Sequence, residues 1–327
     1  MIWLLIIFLS LNLNSDILER EDIKDFVDMA IEQSDLSRAE IINYLKDAEP
    51  SKSAVSARNN QPEVKATWDD YLSKRVTKKR VESGALFLKR HLDIFKSVEK
   101  DYGVSKFYIA SIIGLETNYG SYFGSYNPLD TIFTRAFNPN STFWQKELIE
   151  LFILSKRYNL NPKKIKSSWS GAIGLGQFIP SSYNAYGVDY DLNGSVDLLG
   201  SVEDGIASVA NYLQANGWVS GSEPAQSIDF TGRFNDLNED QIDLLVLPFE
   251  LNNFRTKIKS EDLKEAGFNF SGEYVSKITP ILIREGNVTK LYLGFDNFRV
   301  ITKYNRSSKY ALAVHQLAIE ISDKFYE

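Results

Sequence analysis

A mainly helical chain of the α+β class is predicted by three features of this sequence. Apolar residues recur every three or four positions over most of its length. Ser and Gly stand where several of these runs begin and end. Short β-branched and aromatic runs are confined to one stretch, about 221–295. With 327 residues, 43% of them hydrophobic and 13% aromatic, the chain can bury a substantial core and support two lobes.

The elements follow in order. Residues 1–15, MIWLLIIFLSLNLNS, are an uncharged apolar run, too short to cross a bilayer comfortably and of the length of a signal-peptide core. Export is the expectation. The run has no Lys or Arg and no small-x-small cleavage site better than the region near Ser15, so an uncleaved membrane anchor stays open. Residues 16–64 read as a helical arm and linker. DIKDFVDMAIEQ and LSRAEIINYLKDA have helical spacing, with Ser37 placed to cap the second, and 49–64 is polar, carries two prolines and reads as a loop.

ESGALFLKRHLDIFKSVEKDYG predicts one helix ending at Gly103, and another starts near Ser105. TFWQKELIELFILSKRY and EDGIASVANYLQANGW add two more, the latter stopped by Gly217. The stretch 221–295 predicts a small mixed subdomain with a hairpin turning at Gly286-Asn287. SSKYALAVHQLAIEISDKF is a long amphipathic helix that must dock on the body to cover its Leu and Ile stripe.

Composition excludes several kinds of chemistry. The net charge is −6, from 43 acidic and 37 basic residues, which gives no basic field to neutralise a phosphate backbone, so nucleic acid is not an expected partner. The absence of cysteine removes disulfides, thiolate nucleophiles, sulfur-ligated zinc and a lipidated N-terminal cysteine. His91 and His315 are the two imidazoles, and neither lies in a motif that makes it a base; both are expected to pack against or cap helices.

The segment SIIGLETNYG, 111–120, sets a carboxylate into an apolar helix. Ile109, Ile112 and Ile113 are spaced so that Glu116 continues their inward face. It also lies in the last helical turn, where the dipole is negative. Burial and dipole both disfavour the ionised form, so its pKa is expected to rise, which makes a carboxyl a proton donor near neutral pH. The alternative is a side chain turned outward, or one bonded to a backbone N–H of the next loop.

Context favours chemistry. Aromatic SYFGSYN follows, and SSWSGAIGLGQFIPSSYNAYG carries closely spaced glycines with Gln177 and Phe178. Glycines admit a ligand to the backbone, and Tyr and Trp rings offer flat faces to sugars; tight packing and core filling are the alternatives. Neither a dinucleotide fingerprint nor a phosphate loop fits this spacing. From Asp189, DYDLNGSVD places side-chain oxygens at alternate positions with Gly194 at the turn, as in a calcium loop; an Asx-rich turn without an ion is the alternative.

GLETNYG, SGAIGLGQFIPSSYNAYGVDYDLNGSVDLLGSVEDGIASVANYLQANGW and FRVITKYNRSSKYALAVHQL together resemble the lytic murein transglycosylase B family, in order from about Trp68 to Ile319. The resemblance implies a lysozyme-like helical core, here 65–220 with 296–327. It also implies cleavage between N-acetylmuramic acid and N-acetylglucosamine in peptidoglycan strands, leaving a 1,6-anhydromuramoyl end. The family's single catalytic acid/base falls on Glu116, and Asp130, the nearest other acid in the adjoining motifs, is expected to cap a helix instead of acting as its partner. Ser168 and Gln177 match polar groups near the reacting sugar, and Tyr71, Phe178, Tyr212, Tyr304, Asn305 and Tyr310 match the groove lining.

A metal loop is implied with Asp189, Asp191, Asn193, Ser195 and a later acid. The twelfth position is Gly200, so Glu203 or Asp204 must close it, and calcium would be structural, with no cofactor required for catalysis. The chain departs from the family at FNPNSTFW, which lacks an arginine pair, and in having no lipobox cysteine. A monomer, exported to the periplasm and free or held by its N-terminal segment, is expected. A muramidase that lets water attack, and a silent wall-binding protein, are the rival readings.

Overall fold

The computed structural model describes residues 17–58, 66–228, 257–265, 278–285 and 288–327. The expected signal or anchor segment, the end of the linker, the Gly286-Asn287 turn and much of 221–295 lie outside the described residues.

Fourteen helices and three strands are described. In chain order the helices are α1 (Glu21–Gln33), α2 (Arg38–Lys46), α3 (Lys52–Arg58), α4 (Trp68–Arg75), α5 (Lys78–Arg90), α6 (Leu92–Tyr102) and α7 (Lys106–Thr117). They continue with α8 (Pro128–Phe137), α9 (Thr142–Arg157), α10 (Pro180–Tyr186) and α11 (Val202–Ala215). Strand β1 (Ala225–Ile228), α12 (Ser260–Glu265), β2 (Thr279–Glu285), β3 (Val288–Gly294), α13 (Asp296–Tyr304) and α14 (Ser308–Tyr326) complete the chain. Contacts divide it into two units, 1–60 with 120–208 and 61–119 with 209–327.

In the first unit α1 buries Ile23, Phe26, Val27 and Ala30, the helical spacing read in the sequence. Ser37 caps α2 in a reciprocal box, its Oγ accepting from the Glu40 N–H at 3.2 Å while the Glu40 carboxylate accepts from the Ser37 N–H at 2.8 Å. The Phe26 ring meets Phe137 edge-on at 5.5 Å and Phe152 at 6.3 Å, which ties α1 to α8 and α9.

Two expectations are corrected here. The polar stretch 49–64 contains a helix, α3, because its context overrides its poor local pattern. The Ser51 N–H donates to Thr134 Oγ1 at 2.7 Å, the Ser51 Oγ accepts from the Ala54 N–H, and Ala54 is 2% exposed. The residue that caps α8 is Asn127 rather than Asp130, since Asn127 Oδ1 accepts from the Asp130 N–H at 2.8 Å. The Asp130 carboxylate accepts instead from the Glu49 N–H and pairs with Lys163 at 2.9 Å.

The second unit is organised by α7, whose residues from Ile109 to Thr117 are all buried except Glu116. A helix apolar all round belongs inside a core, and α5 and α14 cover it. Ser111 Oγ donates to the Val314 carbonyl at 2.7 Å, so the polar atom on that surface is satisfied. Gly84 of α5 and Gly114 of α7 leave room for the Tyr119 hydroxyl, which donates to the Arg80 carbonyl at 2.9 Å.

The long helix expected to run to Gly103 is two, α5 and α6, broken at His91, whose φ of −113° and ψ of 28° leave the helical region. Gly103, at φ 67°, ends α6 as read. The strands form one antiparallel sheet in the order β1-β3-β2, with Ile281 opposite Tyr292 and Ala225 opposite Gly294.

His315 is 9% exposed on α14, and its Nδ1 is 2.8 Å from the Tyr108 hydroxyl. Burial depresses its pKa to about 4, against the smaller upward pull of the Ala225 backbone. Stability from the neutral ring is therefore complete above the unfolded value near 6.5 and is lost as pH falls toward 4. Urea midpoints should show about 2 kcal/mol lost between pH 7 and pH 5, and His315→Gln should flatten that slope. At Gly114 an added Cβ would stand 2.5 Å from the Tyr119 hydroxyl. Gly114→Ala is expected to cost about 1–3 kcal/mol in the same assay despite alanine's better helix propensity.

Candidate active site

Glu116 occupies the last turn of α7, a helix started by Ser105, whose Oγ accepts from the Phe107 N–H. The chain leaves the helix through three successive left-handed residues, Asn118 at φ 49°, Tyr119 at φ 59° and Gly120 at φ 80°. Asn and Gly adopt that conformation readily, whereas for Tyr119 it costs about 1–3 kcal/mol. The buried ring of Tyr119, clasped between Gly84 and Gly114, offsets that cost. The exit turn is thus pinned by tertiary contacts and sets where Glu116 stands.

Glu116 is half-buried rather than enclosed. The Tyr310 hydroxyl donates to its Oε1 at 2.6 Å, a short hydrogen bond. Tyr310 sits in the first turn of α14, its N–H held by Ser307 Oγ, and it is 3% exposed. Tyr304 ends α13 and meets the Tyr212 ring at 4.8 Å edge-on, while the Tyr212 hydroxyl donates to the Lys303 carbonyl at 2.8 Å.

Burial first, and the Glu116 carboxylate second, hold the phenols of Tyr304 and Tyr310 well above the usual tyrosine range. Both therefore remain protonated near neutral pH, and Tyr310 is a permanent donor to the carboxylate. Tyr71 lies in the same group, close enough to Tyr310 to influence its titration, with its ring stacked on Trp68 at 6.4 Å and the Arg75 guanidinium 5.2 Å above it. The second unit thus gathers Glu116, Tyr71, Tyr212, Tyr304 and Tyr310 from α7, α4, α11, α13 and α14. Of the six residues matched to a groove lining, Tyr71, Phe178, Tyr310 and Tyr212 are buried at 2%, 3%, 3% and 9% exposure, whereas Tyr304 and Asn305 are half-buried.

Ser168, Gln177 and Phe178 belong to the first unit. Ser168 Oγ accepts from the Ala172 N–H at 3.1 Å and lies 2.9 Å from Ser170 Oγ, closing a tight polar turn. Phe178 exchanges backbone hydrogen bonds with Ile173, and Gln177, at φ 51°, donates its amide to the Gly174 carbonyl at 3.0 Å. Gly174, at φ 79°, packs so closely that a Cβ would stand 2.6 Å from the Leu198 carbonyl, so this glycine serves packing.

The acidic loop is built around Asp204, which is fully buried in the first turn of α11. Its Oδ1 accepts from the Tyr190 N–H at 2.8 Å and its Oδ2 from the Asp197 N–H at 2.8 Å. Asp189 accepts from the Asn193 and Gly194 N–H groups, Asp191 from Asn193, and Asn193 Oδ1 from the Ser195 N–H. Gly194, at φ 94°, makes the sharp turn. Asp189, Asp191 and Asp204 bring one carboxylate oxygen each within 4.8 Å of one another, so of the two acids named to close the loop it is Asp204 that joins, while Glu203 does not. An all-oxygen set of three carboxylates suits a hard divalent cation such as calcium.

Sequence reasoning missed Glu147, which is 3% exposed on α9 and whose carboxylate accepts from both the N–H and Oγ of Ser181 at the start of α10. Burial raises its pKa, partly countered by those bonds. The signal was available, since ELIEL also sets a carboxylate among helical apolar positions. Arg135 was missed too: its guanidinium lies 3.8 Å from the Trp144 ring and 4.8 Å from Trp169, beside Ser168. Neither His91, between α5 and α6, nor His315 joins the Glu116 group.

A family profile described as "Transglycosylase SLT domain" matches residues 19–319. The membrane-bound lytic murein transglycosylase B of Escherichia coli (strain K12) is 29% identical over 320 residues, 94% of this chain and 84% of that protein. The structure of Escherichia coli lytic transglycosylase SLT35 in complex with calcium is similar with a TM-score of 0.81 and 29% identity, over 94% of this chain and 95% of that one. SltB3 from Pseudomonas aeruginosa in complex with NAG-NAM-pentapeptide gives 0.75 and 28%, over 93% and 78%. The mainly helical, lysozyme-like fold and its small antiparallel sheet agree with these matches, and the chain belongs to the family of the transglycosylase SLT domain and is a lytic transglycosylase.

Proposed function

We propose that this enzyme cleaves the β-1,4 bond between N-acetylmuramic acid and N-acetylglucosamine in peptidoglycan, leaving a 1,6-anhydromuramoyl end, with Glu116 as its one acid/base. The observation that carries this reading is the half-buried Glu116 carboxylate held at Oε1 by the Tyr310 hydroxyl at 2.6 Å. Of the carboxylates, it is Glu116 that raises the phenols of both Tyr304 and Tyr310. Most hydrolytic glycosidases use a paired carboxylate as nucleophile or water activator.

One carboxyl suffices if the substrate supplies the rest. Glu116 donates its proton to the glycosidic oxygen, the C1–O bond breaks, and the acetamido oxygen of the muramic acid stabilises C1. The sugar's own 6-hydroxyl then forms a bond to C1 and returns its proton to Glu116. No water is consumed. Tyr310 keeps one carboxylate oxygen fixed so that the same group serves both transfers.

Substrate contacts are assigned to Tyr71, Ser168, Gln177, Phe178, Tyr212, Tyr304 and Asn305 on the strength of the resemblance. SltB3 from Pseudomonas aeruginosa, similar to this chain, is seen with NAG-NAM-pentapeptide, which supports peptidoglycan strands as the substrate. Export to the periplasm is proposed from residues 1–15, and no helix among the described residues is long and apolar enough to cross a membrane. The catalytic core is taken as 65–220 with 296–327.

The acidic loop is proposed to hold calcium through Asp189, Asp191, Asn193, Ser195 and Asp204. The ion would draw the carboxylates together and brace the loop without entering the reaction.

Glu116→Gln should keep the fold while cleavage of sacculi falls roughly 10²- to 10⁴-fold. Mass spectrometry of wild-type digests should show anhydro ends one water lighter than reducing ends; reducing ends would identify a muramidase. Calcium in the millimolar range should raise the melting temperature by several degrees, chelator should reverse it, and Asp191→Asn should weaken the shift.

A further inference from the structure

A cavity of about 690 Å³ lies within the second unit, along α13. Among the described residues Lys257, Arg299, Lys303 and Arg306 line it against the single carboxylate of Asp296, so four positive groups less one negative leave a net charge of +3. In a chain of net charge −6 this is a local reversal of sign, and a concave wall focuses such a field more than an open surface does.

The four cations are not equivalent. The Arg299 side chain is 11% exposed and is held twice, by Asp296 one turn before it on α13 and by Thr279 Oγ1 at the start of β2, at 3.3 Å. The Lys303 ammonium donates to the Asn216 carbonyl, just beyond the end of α11, at 2.7 Å. Both are therefore fixed before any ligand arrives, which lowers the cost of ordering them around one. Lys257 and Arg306 are exposed and have no acidic partner among the described residues. The α13 dipole accounts for Lys303 and Arg306 at the C-terminal end of the helix, but not for Arg299 at its middle or for Lys257, which comes from another part of the chain.

The charge count narrows the ligand. A carboxylate brings one negative charge, whereas a terminal phosphate brings about −1.5 to −2 and three acceptor oxygens near neutral pH. Two linked phosphates thus answer an excess of three positive charges in the least space. Arg299 and Lys303 are four residues apart on one face of α13, about 5–6 Å between Cβ atoms, so each phosphate of a pair can meet its own cation. The guanidinium groups of Arg299 and Arg306 present planar forks that match phosphate oxygens. The volume is that of a small-ligand site and leaves room for the group that carries the phosphates. We propose that this cavity binds a ligand bearing a diphosphate group. The lining shares no residue with the Glu116 group, so the inference stands apart from the glycan-cleavage reading.

The test is calorimetric titration of the full-length protein with inorganic pyrophosphate and, separately, with tricarballylate as a polycarboxylate. Wild type is compared with Lys257→Gln/Arg306→Gln and Lys257→Glu/Arg306→Glu, each checked for folding by circular dichroism. Pyrophosphate should bind the wild type at least about ten-fold more tightly than tricarballylate, and its affinity should fall at least about ten-fold in the neutral pair and further in the charge-reversed one. Phosphatidylcholine vesicles with and without geranylgeranyl diphosphate give the source of the group, since the plain vesicles subtract any binding by the apolar segment 1–15. Extra binding to the doped vesicles that the charge-reversed pair loses supports a lipid-borne diphosphate, and loss of pyrophosphate binding alone supports a soluble one. No pyrophosphate binding by wild type, equal affinity in all three proteins, or tricarballylate bound as tightly as pyrophosphate would overturn the proposal.

Discussion

The short bond from the Tyr310 hydroxyl to Glu116 Oε1 joins the end of α7 to the start of α14, and the local arrangement depends on it. A half-buried carboxylate at the C-terminal end of a helix is opposed by the helix dipole and by partial loss of water. A buried phenol would waste its own hydrogen bond if it had no acceptor. Each group answers the other's need. The carboxylate in turn helps keep the phenols of Tyr304 and Tyr310 protonated, so the donor persists wherever the acceptor is charged.

That bond can form only because α7 is held without freedom. Its apolar surface is covered on all sides, and its exit runs through Asn118, Tyr119 and Gly120 in the left-handed region. The glycines at 84 and 114 admit the Tyr119 ring between two helices. A core that encloses a helix in this way resists sliding or rotation, since any shift would open voids or force overlap. Rigidity at Glu116 is thus a property of packing several residues away. The acidic loop follows the same logic in polar form: the carboxylates of Asp189, Asp191 and Asp204 are organised by backbone N–H groups, which offsets part of their mutual repulsion.

Glu147 shows what an isolated carboxylate in an apolar helix does and does not signify. By pattern it stands level with Glu116, and it is the more buried of the two. Yet its oxygens are taken by the N–H and hydroxyl of Ser181, so it braces α10. Pattern marks both as costly residues that need partners. Their partners differ, a serine of α10 for Glu147 and a tyrosine of α14 for Glu116, and lie 34 and 194 residues away in sequence.

Most helices were legible because periodicity and capping are local. The Ser37 box, the Ser105 start and the Gly103 stop need only a few neighbouring residues to act. Helix α3, the break at His91 and the choice of Asn127 over Asp130 as a cap were not legible, since distant contacts or competing neighbours decide them. By itself the sequence determined the helical class, the place of Glu116 in the last turn of an apolar helix and the oxygen-rich loop, all set by spacing along the chain. Tertiary structure alone decided which hydroxyl meets Glu116 and which later acid stands beside Asp189 and Asp191, because these depend on distances between residues that the chain order leaves apart.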